Sequence, residues 1–440
     1  MVEITKMKAE KQKAEKEAFF CTTKELSRLG LEQIPTQFQS HKHLIYSSPA
    51  TLAFNSPGAE GFGVKRAGLA VPDSIMLIVA PGCCGRNTSL ISSMKEYNDR
   101  FYYLMMDETD IVTGRHLKKI PKAVEEICSV CPKKPSVVMI CITCVDALLG
   151  TDMERVCKKA EEQVEIPVRP CYMYALTREG RKPPMVHVRQ SLYSLLEPGK
   201  KKGNVVNLLG FFSPLVDDCE IYDLLHSAGV KTIHEISRCK DYMEYQTMSE
   251  ANFNLVLHHE ARFAAEDFHN RLQIPFIELR RLYQIDKIEN QYHALGNALG
   301  VAFYDEKYKK QAEDALEKFR KKCPDASFAI GECLNADPFE LALALIRYGF
   351  SVPEIYGTIT VENFTYIRSL AKISPETKVF SNMEPTMIYY DPVKSDVNLA
   401  IGKDACYYHP DCPYVMWNGE EQPYGYAGVR RLFEQLLEVV

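Results

Sequence analysis

The chain has 440 residues, which exceeds the size at which one hydrophobic core stops growing, so we expect two or three domains. Its 46% hydrophobic and 25% charged residues and its net charge of -5 are ordinary for a globular protein and give no basic excess for nucleic-acid binding. The sequence has no run of about 18 uncharged apolar residues, and it begins with charged residues. We therefore expect no membrane span, no signal peptide and a cytoplasmic location.

The first half of the chain contains two apolar runs that predict buried parallel strands. A charged stretch at 3–17, interpreted as a solvated arm, comes before them. The first run is 74–80, and a loop with two glycines and two cysteines follows it. The second run is 136–142, and a helical pattern at 152–163 follows it.

The same order of strand and helix repeats along the rest of the chain. The three further pairs are 205–209 with 217–228, 254–257 with 260–272, and 328–330 with 338–348. This alternation predicts an α/β fold with three Rossmann-like domains, each a parallel sheet with flanking helices. Breaks in the pattern near residues 197–203 and 321–325 divide the chain into an N-terminal arm with helices (1–45), a first α/β domain (46–202), a second domain (203–322) and a third domain with a C-terminal helix (323–440). The cysteines described next would make the first domain the cluster-binding one.

Two groups of cysteines follow the first two predicted strands, at the edge where α/β sheets bind ligands. Cys83 and Cys84 follow the first strand, between Gly82 and Gly85, and these glycines allow tight turns beside a bulky group. Cys144 lies just beyond the second strand, where its thiol is free to bind a metal. Most of the 15 cysteines are expected to be buried packing residues, since a free thiol behaves as a small hydrophobe.

A zinc site is the alternative interpretation of these cysteines. Cys128 and Cys131 form one CxxC unit, and Cys141 and Cys144 form a second. The segment between the two units is a predicted buried strand, whereas a zinc ribbon has an open knuckle. Cys141 lies within that strand and is expected to belong to the core.

Several motifs, in order along the chain, resemble those of nitrogenase component 1 proteins. The loop 80–89 is similar to the family's glycine-proline-x-glycine-cysteine loop, and 142–152 to its glutamate-cysteine-proline loop that ends in Gly-Asp-Asp. Weaker similarity is found at 107–114, 205–210, 254–256 and 423–428. The resemblance implies that Cys84 and Cys144 are cluster ligands, with Cys83 as an alternative beside Cys84.

The resemblance also implies a cofactor simpler than that of nitrogenase itself. The family's α-subunits use a third cysteine before the Cys84 position, and this chain has no thiol in the corresponding region, 56–60. Two thiolates per chain, completed by an identical or homologous component 1 subunit, would supply the four ligands of one [4Fe–4S] cluster at a dimer interface. Whether the chain binds a further metallocofactor stays open.

The expected electron path depends on a second protein. The chain has no Gly-x-x-x-x-Gly-Lys-Ser/Thr loop and no Gly-x-Gly-x-x-Gly after a strand, so we expect neither ATP hydrolysis nor nicotinamide binding by the chain itself. The resemblance implies a separate, ATP-dependent iron protein with a P-loop as the electron donor. It also implies a small-molecule or tetrapyrrole substrate, without identifying it.

His258 is the candidate catalytic residue. It follows the predicted strand 254–257, and the resemblance places it near the cysteine that anchors the nitrogenase cofactor. An imidazole there could bind a metal or donate a proton, and a hydrogen-bonded histidine at a helix start is the alternative. His409 has a weaker claim to such a role. The favoured function is the catalytic component of a nitrogenase-like reductase, and the alternative is a non-catalytic scaffold on which a metallocluster is assembled.

Overall fold

The computed structural model describes residues 17–39, 50, 63–82, 97–173 and 182–440. The strands in these ranges are β1 Phe20–Thr22, β2 Ile75–Ala80, β3 Phe101–Met105, β4 Val138–Ile142, β5 Val168–Tyr172, β6 Val205–Leu209, β7 Thr232–His234, β8 Phe253–Val256, β9 Phe276–Glu278, β10 Ser327–Ile330, β11 Ser351–Tyr356, β12 Lys378–Phe380, β13 Leu399–Ile401 and β14 Tyr414–Val415.

Helices connect nearly every consecutive pair of strands. The α-helices are α1 Thr23–Leu29, α2 Val64–Ala67, α3 Glu108–Thr113, α4 His116–Val130, α5 Cys144–Leu149, α6 Met153–Val164, α7 Pro184–Tyr193, α8 Glu220–Ser227, α9 Tyr242–Gln246, α10 Arg262–Leu272, α11 Ile285–Leu299, α12 Glu306–Lys322, α13 Pro338–Arg347, α14 Phe364–Ile373, α15 Lys403–Tyr408 and α16 Gly425–Val439. Within the described ranges, no helix is both long and apolar enough to cross a membrane.

The described strands form three sheets. The first has the order β3-β2-β4-β5, the second β7-β6-β8-β9 and the third β1-β12-β11-β10-β13-β14. Every pairing is parallel except that of β1 with β12, which is antiparallel. The predicted α/β class, with three parallel sheets and flanking helices, is therefore confirmed, and β1 is an antiparallel addition that the sequence did not predict. The domain boundaries stay a prediction.

Both faces of the first sheet are covered, which is why β2 and β4 are apolar along their whole length. Side chains alternate between two cores: Met76, Ile78 and Cys141 pack in one, and Leu77 and Ile140 pack in the other. The second and third sheets share a larger core with the C-terminal helix α16. The strands predicted at 74–80, 136–142, 205–209, 254–257 and 328–330 are confirmed to within two residues.

A buried carboxylate joins α16 to the second sheet's helices. Glu220, at the start of α8, accepts hydrogen bonds from the backbone N–H groups of Tyr426 (2.6 Å) and Ala427 (3.0 Å) in the first turn of α16. The hydroxyl of Tyr292 in α11 donates to the same carboxylate over 2.6 Å. Gly425 has a φ of 57°, and a side chain there would overlap Glu220. The C-terminal motif 423–428 therefore provides the backbone N–H groups and the glycine that this contact with Glu220 requires.

Candidate functional site

The loops predicted to hold the cluster begin side by side at one edge of the first sheet. Strands β2 and β4 are parallel neighbours, with Val79 opposite Ile142, so both chains leave the sheet at the same edge. Gly82 lies two residues beyond β2, and Cys144 is the first residue of α5, two residues beyond β4. Cys83, Cys84 and Gly85 lie outside the described residues, as does the side chain of Cys144.

Two residues after Cys144, a buried aspartate contacts a buried histidine. Nε2 of His116, the first residue of α4, is 2.9 Å from Oδ1 of Asp146 in α5. Its Nδ1 is 3.0 Å from the carbonyl oxygen of Asp110 in α3. The hydroxyl of Thr151 donates to Asp146 Oδ1 over 3.1 Å. The side chains of His116 and Asp146 are each only 1% exposed, so this contact is closed to solvent.

Ion pairs with basic residues hold the Asp110 carboxylate. Nε of Arg115 donates to it over 2.8 Å and Nζ of Lys119 over 2.6 Å, and both contacts hold the pKa of Asp110 well below its usual range. The same carboxylate accepts the backbone N–H of Asp107, which completes a capping box at the start of α3. The backbone of Asp110, which His116 contacts, is thus held firmly.

Two buried polar atoms next to Cys144 have no hydrogen-bond partner among the described residues. They are Oγ1 of Thr143, the residue before Cys144, and Oδ2 of Asp146. Both residues are 1% exposed. Buried polar atoms in native proteins are nearly always hydrogen-bonded, so unpaired ones mark a place where a group is still to be accommodated.

Most other described thiols are packing residues, as predicted. Cys141 and Cys171 are fully buried in the first sheet, and burial raises the pKa of the Cys171 and Cys157 thiols well above their usual value. A metal ligand must be a thiolate, so these thiols are poor ligands. Cys128 and Cys131 pack on the opposite face of the sheet from Cys141, so the two CxxC units do not converge on a zinc site.

His258 lies at the carboxyl end of β8, where the sequence placed it, and it starts a short 3-10 turn over His259–Ala261. Its Nδ1 accepts the backbone N–H of Glu260 over 3.3 Å. Burial, followed by the charges of Arg189, His259 and Arg281, holds the pKa of His258 well below its usual value. Because Nδ1 accepts this hydrogen bond, the neutral imidazole carries its proton on Nε2 and can donate through that atom.

An arginine from the first domain fixes the turn around His258. Nη1 of Arg189, in α7, donates to Glu260 over 2.8 Å, while its Nε and Nη2 donate to the carbonyl of Gly210 after β6. Gly210 has a φ of 135°, and a Cβ there would lie 2.7 Å from the backbone nitrogen of His258. The loops after β6 and β8 therefore touch, and only glycine permits this approach.

A second arginine lies close to His258. The guanidinium of Arg281 stacks 4.3 Å from the ring of Phe211, whose edge contacts His258 at 5.7 Å between ring centroids. Nη2 of Arg281 donates to Gln422 over 2.6 Å, whereas its buried Nε has no partner among the described residues. Sequence reasoning missed Arg189, Arg281, His116 and Asp146, because each acts across a long separation in the chain.

His409 belongs to a separate, structural cluster. Its Nε2 lies 2.8 Å from the hydroxyl of Tyr390 and 3.2 Å from Glu354, and its side chain is 2% exposed. In the described part of the chain, no three His, Cys, Asp or Glu side chains are grouped to hold a metal ion.

The fold and the site define an α/β protein with three sheets, whose candidate ligand loops follow the carboxyl ends of strands in the first and second sheets. The chain belongs to the family of nitrogenase component 1 type oxidoreductases, whose family model matches residues 60–440. The predicted family is thus confirmed.

Relatives and solved structures agree with this assignment. The chain is 25% identical over 418 residues to the nitrogenase iron-molybdenum cofactor biosynthesis protein NifE of Sinorhizobium fredii (strain NBRC 101917 / NGR234), covering 89% of this chain and 82% of that protein. It is 25% identical to the NifE of Nostoc sp. (strain PCC 7120 / SAG 25.82 / UTEX 2576) over 284 residues, or 58% of that protein. A structure titled "Nitrogenase Cp1 at pH 6.5" superposes with a TM-score of 0.70 at 18% identity and covers 93% of this chain and 96% of its own, which shows the shared fold.

Proposed function

We propose that the chain is a scaffold subunit that holds a metallocluster while it is assembled and then passes it to another protein. The observation that carries this proposal is that a relative aligned over 89% of the chain is named as a cofactor biosynthesis protein. The catalytic reductase predicted from the sequence has support at the level of the family alone. The scaffold alternative is therefore the better supported of the two.

Cys84 and Cys144 would hold a resident [4Fe–4S] cluster together with two thiolates of a second component 1 subunit. The adjacent strand ends of β2 and β4 and the unpaired polar atoms of Thr143 and Asp146 support a group at this edge. When bound, such a cluster supplies reversible one-electron storage at low potential. The chain's own part is to present deprotonated thiols and to exclude water around them.

The precursor in transit would lie beside His258, just beyond the carboxyl end of β8. Iron–sulfur clusters with thiolate and sulfide ligands carry negative charge, and hydrogen bonds to their sulfur atoms stabilise them. His258 offers a neutral Nε2–H donor, and Arg281 offers a positive charge and an unpaired N–H group. This donor set suits an anionic cluster that must bind and later leave.

A cluster-transfer assay distinguishes a scaffold from a catalyst. Anaerobically purified protein, loaded with iron and sulfide, would be mixed with a cluster-free acceptor component 1 protein, and the iron recovered in each would be measured. We expect iron to move to the acceptor without substrate reduction. Substrate turnover with an ATP-dependent iron protein, without any transfer, would instead identify a reductase.

Thiol variants test the resident cluster. Cys84→Ala and Cys144→Ala should each lose the cluster absorbance, whereas Cys128→Ala and Cys131→Ala should keep it, because those thiols lie at the C-terminal end of α4, which leads back to the start of β4 and away from its carboxyl end. Loss of iron in the last two variants and not in the first two would refute the assignment of the ligands.

A further inference from the structure

The helix that carries Cys144 is too short to hold its own orientation. Helix α5 has six residues, and its N-cap residue Thr143 makes no side-chain capping hydrogen bond. Helices shorter than about 12 residues are marginal without tertiary contacts. The direction of this helix, and the position of the Cys144 backbone, must therefore be set by its neighbours.

The contact between His116 and Asp146 is one of these tertiary contacts, and we call it the tie. It joins the start of α4 to the first turn of α5 over 2.9 Å, and Nδ1 of His116 is held in turn by the Asp110 carbonyl. Helices α3 and α4 follow β3, and α5 follows β4, while β2 lies between these strands. The tie therefore joins the segments that follow the two strands flanking β2.

The protonation of the tie follows from its partners. A carbonyl oxygen can only accept, so Nδ1 of His116 carries a proton and donates it to Asp110. The short contact between Nε2 and Asp146 Oδ1 then needs one further proton, shared between imidazole and carboxylate. Whichever atom holds that proton, the pair is neutral as a unit, which is the form in which such a pair can be fully buried.

We propose that His116 and Asp146 are positioning residues, which hold the Cys144 backbone at the carboxyl end of β4 in the orientation that the shared cluster requires. This inference rests on the proposed cluster site. It adds two residues that bind no iron themselves and act through the helix that carries the ligand. Outer partners of metal ligands commonly affect metal retention by about 10- to 100-fold.

The test compares iron loss to a chelator, and the EPR spectrum of the reduced cluster, in wild-type protein and variants. Asp146→Ala removes the tie and should release iron about 10-fold faster, with an altered spectrum. Asp146→Asn should behave like wild type, because its amide can donate to Nε2 of neutral His116 and so restores the tie. His116→Phe removes both ring nitrogens, so it breaks the tie from the other side and gives the answer if Asp146→Ala does not fold.

Glu354→Ala is the matched control, since it breaks another buried contact between a carboxylate and a histidine, with His409 in the third sheet. It should lower stability and leave iron release and spectrum unchanged. The inference is overturned if Asp146→Ala and His116→Phe release iron no faster than Glu354→Ala, or if Asp146→Asn fails like Asp146→Ala. Wild-type protein that binds no iron would overturn the cluster site itself, and this inference with it.

Discussion

His258 shows how a single hydrogen bond selects a chemical role. Its Nδ1 is occupied by the Glu260 N–H, so the neutral ring presents Nε2–H. To bind a metal through Nε2, the ring would have to move its proton to Nδ1 and give up that contact. The structure thus favours a donor over a metal ligand at this position.

Alanine variants of the two adjacent histidines test this role. His258→Ala should weaken retention of the precursor cluster and leave the iron of the Cys84/Cys144 cluster unchanged. His259, stacked on His258 with ring centroids 4.6 Å apart, provides the neighbouring control, and His259→Ala should retain most of the precursor. Iron analysis before and after loading checks both variants. Equal retention in wild type and His258→Ala would contradict the donor role.

A second histidine should make stability depend on pH. Burial, followed by the charge of Lys182, lowers the pKa of His187 from 6.5 to about 4. The unfolded chain therefore binds a proton at this site that the folded protein rejects, so stability falls as pH decreases from about 6.5 to about 4. His187→Gln should make the urea midpoint less sensitive to pH across this window, and exposed His269→Gln should not. A steeper fall in His187→Gln would contradict the assignment.

Among the helices, α16 depends on one carboxylate that caps it from α8, a helix of the second sheet. Glu220 receives two backbone N–H groups of its first turn, where the helix dipole also favours a negative charge. Glu220→Gln should lower the free energy of unfolding by about 1–3 kcal/mol, because its NH2 group would face an N–H donor. Exposed Glu434→Gln at the same helix should change it by less than about 0.5 kcal/mol. Urea denaturation would measure both, and equal losses would contradict the capping role.

In the first two sheets the central strands were predictable from the sequence and the edge strands were not, whereas in the third sheet only β10 was predicted. β2 and β4 are continuous apolar runs, because helices cover both faces of their sheet. β3 has alternating exposure and β5 contains Pro170, so neither presents such a run. β1 has three residues, and its place in the third sheet depends on a partner strand far along the chain.

The residues of the candidate site also fall into two groups, those that the sequence predicted and those that it did not. The positions of Cys144 and His258 were predictable, because each lies just beyond a buried strand. Arg189, Asp146 and His116 were not, since their partners are set by the packing of separate segments. A charged residue within a helix, as at Arg189, carries no local sign that it will be buried against a distant loop.

At the scale of the whole molecule, the number of ligand thiols predicts the stoichiometry of the cluster. Cys84 and Cys144 supply two thiolates per chain, and a [4Fe–4S] cluster needs four. We expect about four irons for every two component 1 chains in anaerobic protein, measured by native mass spectrometry with metal analysis. Four irons in an isolated single chain would contradict a shared cluster.

The antiparallel pairing of β1 with β12 bears on the order of events during synthesis. Phe20 leaves the ribosome early, yet its partner Phe380 is made some 360 residues later. At about 5–20 residues per second, the N-terminal strand waits for tens of seconds before the edge it completes exists. A segment that is translated early is thus among the last to find its place, and during that interval the nascent chain carries an unpaired strand that a chaperone could bind.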